Sequence, residues 1–82
     1  MEENQIKQML EKDELLIPAI KLVQQENSAT ATLLQRKLCI GFPRAMQLVE
    51  MMEELNIITK PDSEYKRQVF PLDENLKKYI EK

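Results

Sequence analysis

The 82 residues include no histidine, no tryptophan, one cysteine and one glycine. Without histidine the chain can build neither an imidazole general base nor a His-containing zinc site, which removes most hydrolase and metal chemistry. Cys39 has no second cysteine with which to close an internal disulfide. Between Leu38 and Ile40 it reads as a small buried hydrophobe rather than a reactive thiol. Long hydrophobic runs are also missing. No stretch approaches the ~20 apolar residues that span a bilayer, and no basic segment followed by an apolar one opens the chain. A soluble, cytoplasmic protein with no membrane contact is therefore expected. Nor is there a basic excess, since 12 Lys and Arg face 14 Asp and Glu for a formal charge of −2. That balance excludes an indiscriminate polyanion binder, which needs many cations to displace counterions. The acidity is concentrated in residues 1–28, where Glu2, Glu3, Glu11, Asp13, Glu14 and Glu26 outnumber Lys7, Lys12 and Lys21. Any surface that meets a polyanion must lie in the slightly positive middle.

What is present suits one domain, because 82 residues with 43% hydrophobic content leave no room for a second core. Folding at this size buries only roughly 60–65% of the surface that the unfolded chain exposes, so a partner or a second copy would add stability. Ile6, Met9 and Leu10 recur at helical spacing and predict a short amphipathic helix from about Asn4 to Lys12. Asp13 suits a helix cap, and Leu16, Ala19, Ile20 and Val23 follow the pattern of a buried helical face. Pro18 either occupies the first turn of a helix that starts near Asp13 or begins the helix itself. Thr30 can cap a shorter helix carrying Leu33, Leu34 and Leu38, with Gln35, Arg36 and Lys37 pointing outward. Cys39, Ile40 and Gly41 make a tight connection, in which the only glycine is expected to supply positive φ.

Pro43 opens the clearest helix. Ala45, Leu48, Val49, Met52 and Leu55 form its apolar stripe, while Pro43, Gln47, Glu50 and Glu54 centre the opposite face. Asn56 ends it. The β-branched run Ile57, Ile58, Thr59, the turn residues Pro61, Asp62 and Ser63, and a return through Arg67, Gln68, Val69 and Phe70 predict a β-hairpin. Pro71 stops the return, and Leu72, Leu76, Tyr79 and Ile80 mark a final helix with Asp73 near its start. The expected fold is mainly α with a small β-hairpin, a three-helix core plus wing over 13–71 with extra helices in 1–12 and 72–82.

Over residues 13–71 this order of elements resembles the gamma domain of FtsK-type DNA translocases, a winged helix-turn-helix. The resemblance is carried by Asp13-Glu14-Leu15, Ser28-Ala29-Thr30, Leu34-Gln35-Arg36, Ile40-Gly41-Phe42 with Arg44-Ala45, Met52-Glu53-Glu54, Ile57-Ile58 and Arg67-Gln68-Val69. Leu-Gln-Arg followed after seven positions by Arg-Ala is its most specific part. It implies a domain from the end of a motor protein that binds short polar DNA sequences orienting translocation and also contacts a recombinase. No G-x-x-x-x-G-K-[ST] loop is present, so this chain cannot itself hydrolyse a nucleotide to move along DNA. It is expected to be either an excised domain or a stand-alone relative. After Ile-Gly-aromatic the family pattern is typically Asn-Arg-Ala-Ala-Arg, where this chain has Pro43, Arg44, Ala45, Met46 and Gln47. The resemblance therefore does not carry the family's own recognition sequence over to this chain.

In a helix-turn-helix the second helix of the motif enters the major groove by its N-terminal end. Helix 43–55 would take that role and the wing, 57–70, would lie on the DNA backbone. Arg44 can bond guanine O6 and N7, Gln47 can bond adenine N6 and N7, and Pro43 sits beside them at the base edges. Each good bidentate pair supplies roughly 1–3 kcal/mol of discrimination. Arg36, Lys37, Lys60, Lys66 and Arg67 are the expected phosphate contacts, which give affinity without sequence information.

A protein-interaction module is the rival reading, in which the terminal helices build a homodimer or grip a protein partner such as a recombinase. It is separated from the DNA reading by whether Arg36, Lys37, Arg44 and Arg67 share one continuous face. Catalysis is not expected: Glu50, Glu53 and Glu54 are near one another on a helix but suit a solvated face, and no cofactor is implied.

Overall fold

Five helices account for the regular structure of this computed structural model, which describes residues 3–64 and 66–81. The outermost residues of the expected 1–12 and 72–82 segments, and Tyr65 in the expected turn, lie outside the described residues. The helices are α1 (Glu3–Lys12), α2 (Leu16–Glu26), α3 (Ala31–Leu38), α4 (Phe42–Glu54) and α5 (Glu74–Ile80).

Local chemistry explains where each begins. Asp13 takes the turn ahead of α2, its Oδ1 accepting from the Leu15 N–H at 2.9 Å while its carbonyl accepts from the Leu16 N–H at 3.0 Å. The helix itself starts at Leu16, so Pro18 stands third, where a missing N–H costs no helical hydrogen bond. Thr30 caps α3 through Oγ1, which accepts from the Leu33 N–H at 3.1 Å. Asp73 does the same for α5, accepting from the Leu76 N–H at 2.9 Å. Both are side-chain oxygens meeting first-turn amides that have no carbonyl partner within the helix.

The helix ends correct two expectations. α2 and α4 run out through Asn27 and Asn56, which hold left-handed backbone at φ 51° and 60°, a conformation that asparagine tolerates better than most residues. Between α3 and α4 the left-handed residue is Cys39, at φ 55°, and not Gly41, which has φ −77° and ψ 166° as the extended cap of α4. The glycine lies one step too late in the chain: the Cys39 N–H already closes α3 on the Gln35 carbonyl, and Gly41 is the residue from which α4 starts. Cys39 is also exposed rather than buried, since a residue just past a helix end is turned away from the face that packs.

The core is continuous. Leu16, Ala19, Ile20 and Val23 from α2, Leu34 from α3, and Ala45, Leu48, Val49 and Met52 from α4 are fully or almost fully buried. The tightest helix pairing is α3 on α4, with α2 packed against both. The terminal helices join this core: Ile6 and Leu10 of α1 and Leu76 and Ile80 of α5 are buried within the chain's own interior. Their apolar faces are thus consumed internally, and a dimer through these helices would have to use their outer faces.

The two expected strands do not form. Among the described residues β-pairing is confined to one antiparallel bridge, Ile58 with Val69, flanked by Phe70 N–H to the Ile57 carbonyl at 2.8 Å and Thr59 N–H to the Gln68 carbonyl at 3.0 Å. Side chains take the groups that a longer ladder would need. Thr59 Oγ1 accepts from the Gln68 N–H at 2.9 Å, Gln24 Nε2 donates to the Phe70 carbonyl at 2.8 Å, and Pro71 has no N–H to offer. Beyond the bridge, Asp62 Oδ1 gathers the N–H groups of Glu64 and Lys66 at 2.8 and 3.0 Å and closes the loop.

Candidate nucleic-acid interface

Burying one stripe of α4 fixes what its other side presents. With Ala45, Leu48, Val49 and Met52 inward, Phe42, Pro43, Arg44, Gln47 and Glu50 are exposed, Phe42 to 56%. Arg36 and Lys37 are exposed on the last turn of α3, where a cation also meets the negative end of the helix dipole.

Two carboxylates brace the flanks of α4. On the α1 side, Arg44 Nη2 donates to Asp13 Oδ1 at 2.8 Å, the same oxygen that holds the Leu15 amide. The Asp13 side chain is only 14% exposed and that of Arg44 is 46% exposed. A cleft beside them is lined by Met9, Lys12, Asp13, Gln47, Glu50, Met51 and Glu54. On the other side, Arg67 Nη1 donates to Glu53 Oε1 and to the Thr59 carbonyl, both at 3.1 Å, and its side chain is 14% exposed. This clasp holds the returning segment onto α4. Next to it a groove of about 710 Å³ runs past Thr30, Phe42, Met46, Pro61, Lys66 and Arg67. The Lys66–Glu64 pair at 3.4 Å is more than 70% exposed at both ends, and such a pair constrains little.

The Ftsk gamma domain family model matches residues 10–71. This chain belongs to the FtsK gamma domain family. It is 48% identical over 59 residues to the DNA translocase FtsK of Clostridium tetani, covering 72% of this chain and 8% of that protein. Against the DNA translocase FtsK of Caldanaerobacter subterraneus it is 36% identical over 72 residues, 88% of this chain and 10% of the relative. The DNA translocase SftA of Bacillus subtilis is 39% identical over 59 residues, 72% of this chain and 6% of the relative. The chain therefore spans about a tenth or less of the translocases it matches.

Within this gamma domain, Lys66 and Arg67 share a groove with Phe42 and Met46, while Arg44 and Gln47 lie toward α1. Arg44 and Arg67 thus bind carboxylates on opposite flanks of one helix. Pro43 is exposed at the start of α4, and Lys60 is exposed just after the bridge. Asp13, expected as a helix cap, instead closes the turn before α2, whose cap position is Leu15, and Glu53, expected on a solvated face, is part-buried; each meets an arginine. Their partners are 31 and 14 positions away, too far for any helical spacing to announce. Among the described residues no cluster of three His, Cys, Asp or Glu side chains can hold a metal, and no helix is long and apolar enough to cross a membrane.

Proposed function

We propose that this gamma domain is a non-enzymatic, cytoplasmic duplex-DNA-binding module of winged-helix type, with α4 in the major groove and segment 57–70 as the wing on the backbone. The observation that carries the reading is α4 itself. It is anchored by a buried stripe and leaves Pro43, Arg44 and Gln47 exposed in its N-terminal half, the end by which such helices meet base edges. Arg44 and Gln47 are assigned to bases, with Pro43 at the rim. Arg36, Lys37, Lys60 and Lys66 are assigned to phosphates. Arg67 serves the same surface chiefly by holding the wing, because its Nη1 is committed to Glu53 and Thr59.

Fluorescence anisotropy with labelled duplex DNA tests this. Binding at low ionic strength should weaken with salt along a log–log slope of about −4, as expected for four to five neutralised phosphates. Arg44→Ala should lose sequence preference, whereas Lys66→Ala should weaken all duplexes alike and flatten the slope by about 1. Absence of binding even at low salt rules the proposal out.

Two features favour a second reading, a docking module for a protein such as a recombinase or for a second copy of the chain: Arg44 and Arg67 pair with carboxylates on opposite flanks of α4 and do not form one continuous basic face, and the groove beside Arg67 has an apolar lining. Phe42 is exposed beside Met46 and Pro61 in the groove, an apolar lining that a protein surface would cover. Saturable protein association combined with no DNA affinity would favour it.

A further inference from the structure

Arg44 stands third in α4, within the first turn, where the helix dipole disfavours a cation. Helix energetics therefore does not account for an arginine there. What the structure provides instead is a fixed carboxylate. Asp13 is locked into the turn before α2 by the Leu15 and Leu16 amides, and α2 is seated on Leu16, Ala19, Ile20 and Val23, all fully buried. Its Oδ1 takes a single guanidinium nitrogen, Nη2, at 2.8 Å. A guanidinium carries five N–H donors in a rigid planar fork. The contact uses one guanidinium nitrogen and leaves the side chain 46% exposed, so solvent and a ligand can still reach it.

Resting on the DNA reading above, we infer that Asp13 is a positioning residue for base recognition: it orients the Arg44 guanidinium before contact, so that the entropy of ordering a long side chain is already spent when guanine is met. Asp13 does not touch the base. It lies across from α4, on the chain segment between α1 and α2, and acts only through Arg44. Its effect should therefore appear in discrimination between sequences and not in general affinity for phosphates.

Asp13→Asn separates this from the residue's part in the turn before α2, since an amide oxygen still accepts from the Leu15 N–H while the charge is lost. The probes are a short duplex enriched by the parent chain from a random pool and a duplex of the same composition in shuffled order. The variant should lose about fivefold in discrimination between them, the low end of what one bidentate base contact supplies. Affinity for the shuffled duplex should be unchanged or raised, and the salt slope should be retained. In an Arg44→Lys background, where no fork remains to be oriented, Asp13→Asn should have no further effect on discrimination. If Asp13→Asn does not fold, Asp13→Glu, which keeps the charge and displaces it by one methylene, should still lower discrimination at constant salt slope.

Unchanged discrimination in the folded variant overturns the inference. So does an equal rise in affinity for both duplexes, which would make Asp13 a competitor for Arg44. A parent chain that enriches no duplex refutes base reading itself, and the inference with it. A parent that discriminates while Asp13→Asn matches it refutes the inference alone.

Discussion

Replacing Cys39 by glycine should stabilise this domain, although it removes the chain's only cysteine from the connection between α3 and α4. Cys39 holds φ 55° and ψ 49° as the residue that ends α3. Left-handed backbone costs an L-residue with a Cβ roughly 1–2 kcal/mol. Its side chain is exposed, so no packing is lost with it. Against the relief stands the extra freedom of glycine in the unfolded chain, about 0.5–1 kcal/mol. The net gain is about 0.5–1 kcal/mol, which for a domain of this size raises the melting temperature by about 2–8 °C. Gly41→Ala is the matched control. Gly41 lies at φ −77°, and a Cβ there would meet only Pro43 Cδ at an ordinary 3.8 Å. The entropic gain from alanine, about 0.4–1 kcal/mol, is offset by its poor performance at a helix cap, so this variant should melt close to the parent. Thermal unfolding followed by circular dichroism at 222 nm reads both. If Cys39→Gly is neutral or destabilising while Gly41→Ala costs more than about 1 kcal/mol, positive φ belongs to Gly41 and the account of this turn is wrong.

Two further substitutions probe the contacts that start α3 and hold segment 57–70 onto α4. Thr30→Ala removes the cap of α3 and should cost about 1 kcal/mol in denaturant unfolding, with no change in the slope of the transition; an unchanged midpoint would deny the cap its role. Arg67→Ala breaks the clasp on Glu53 and Thr59 and should cost about 1–2 kcal/mol. Hydrogen exchange should show the Thr59 and Phe70 amides losing protection ahead of those in α4, and uniform loss across the chain would contradict a local clasp.

Much of the fold is legible in the sequence. The stripe Ala45, Leu48, Val49, Met52 and the face Leu16, Ala19, Ile20, Val23 are buried as their spacing requires, and Thr30 and Asp73 cap the helices they precede. The hairpin is shorter than its β-branched run suggests. Ile57 and Ile58 are β-branched and buried, but β-propensity describes a residue that fits a half-buried pleat, not the length of its ladder. The side chains of Thr59 and Gln24 shortened that ladder to one bridge. On α3 and α4, the exposure of Arg36, Lys37, Arg44 and Gln47 is readable from helical period. The carboxylates that engage Arg44 and Arg67 are not.

By itself, then, the sequence determined the five helices, the faces they bury and the family to which the chain belongs, because periodicity, caps and motif spacing are properties of a few neighbouring residues on one backbone. Tertiary structure alone decided that Asp13 meets Arg44 and Glu53 meets Arg67, and that the left-handed turn falls on Cys39. Ion pairing depends on which side chains docking brings within about 4 Å, and the turn's conformation depends on how α3 and α4 must be joined once their apolar faces have packed. Neither is encoded in any local pattern.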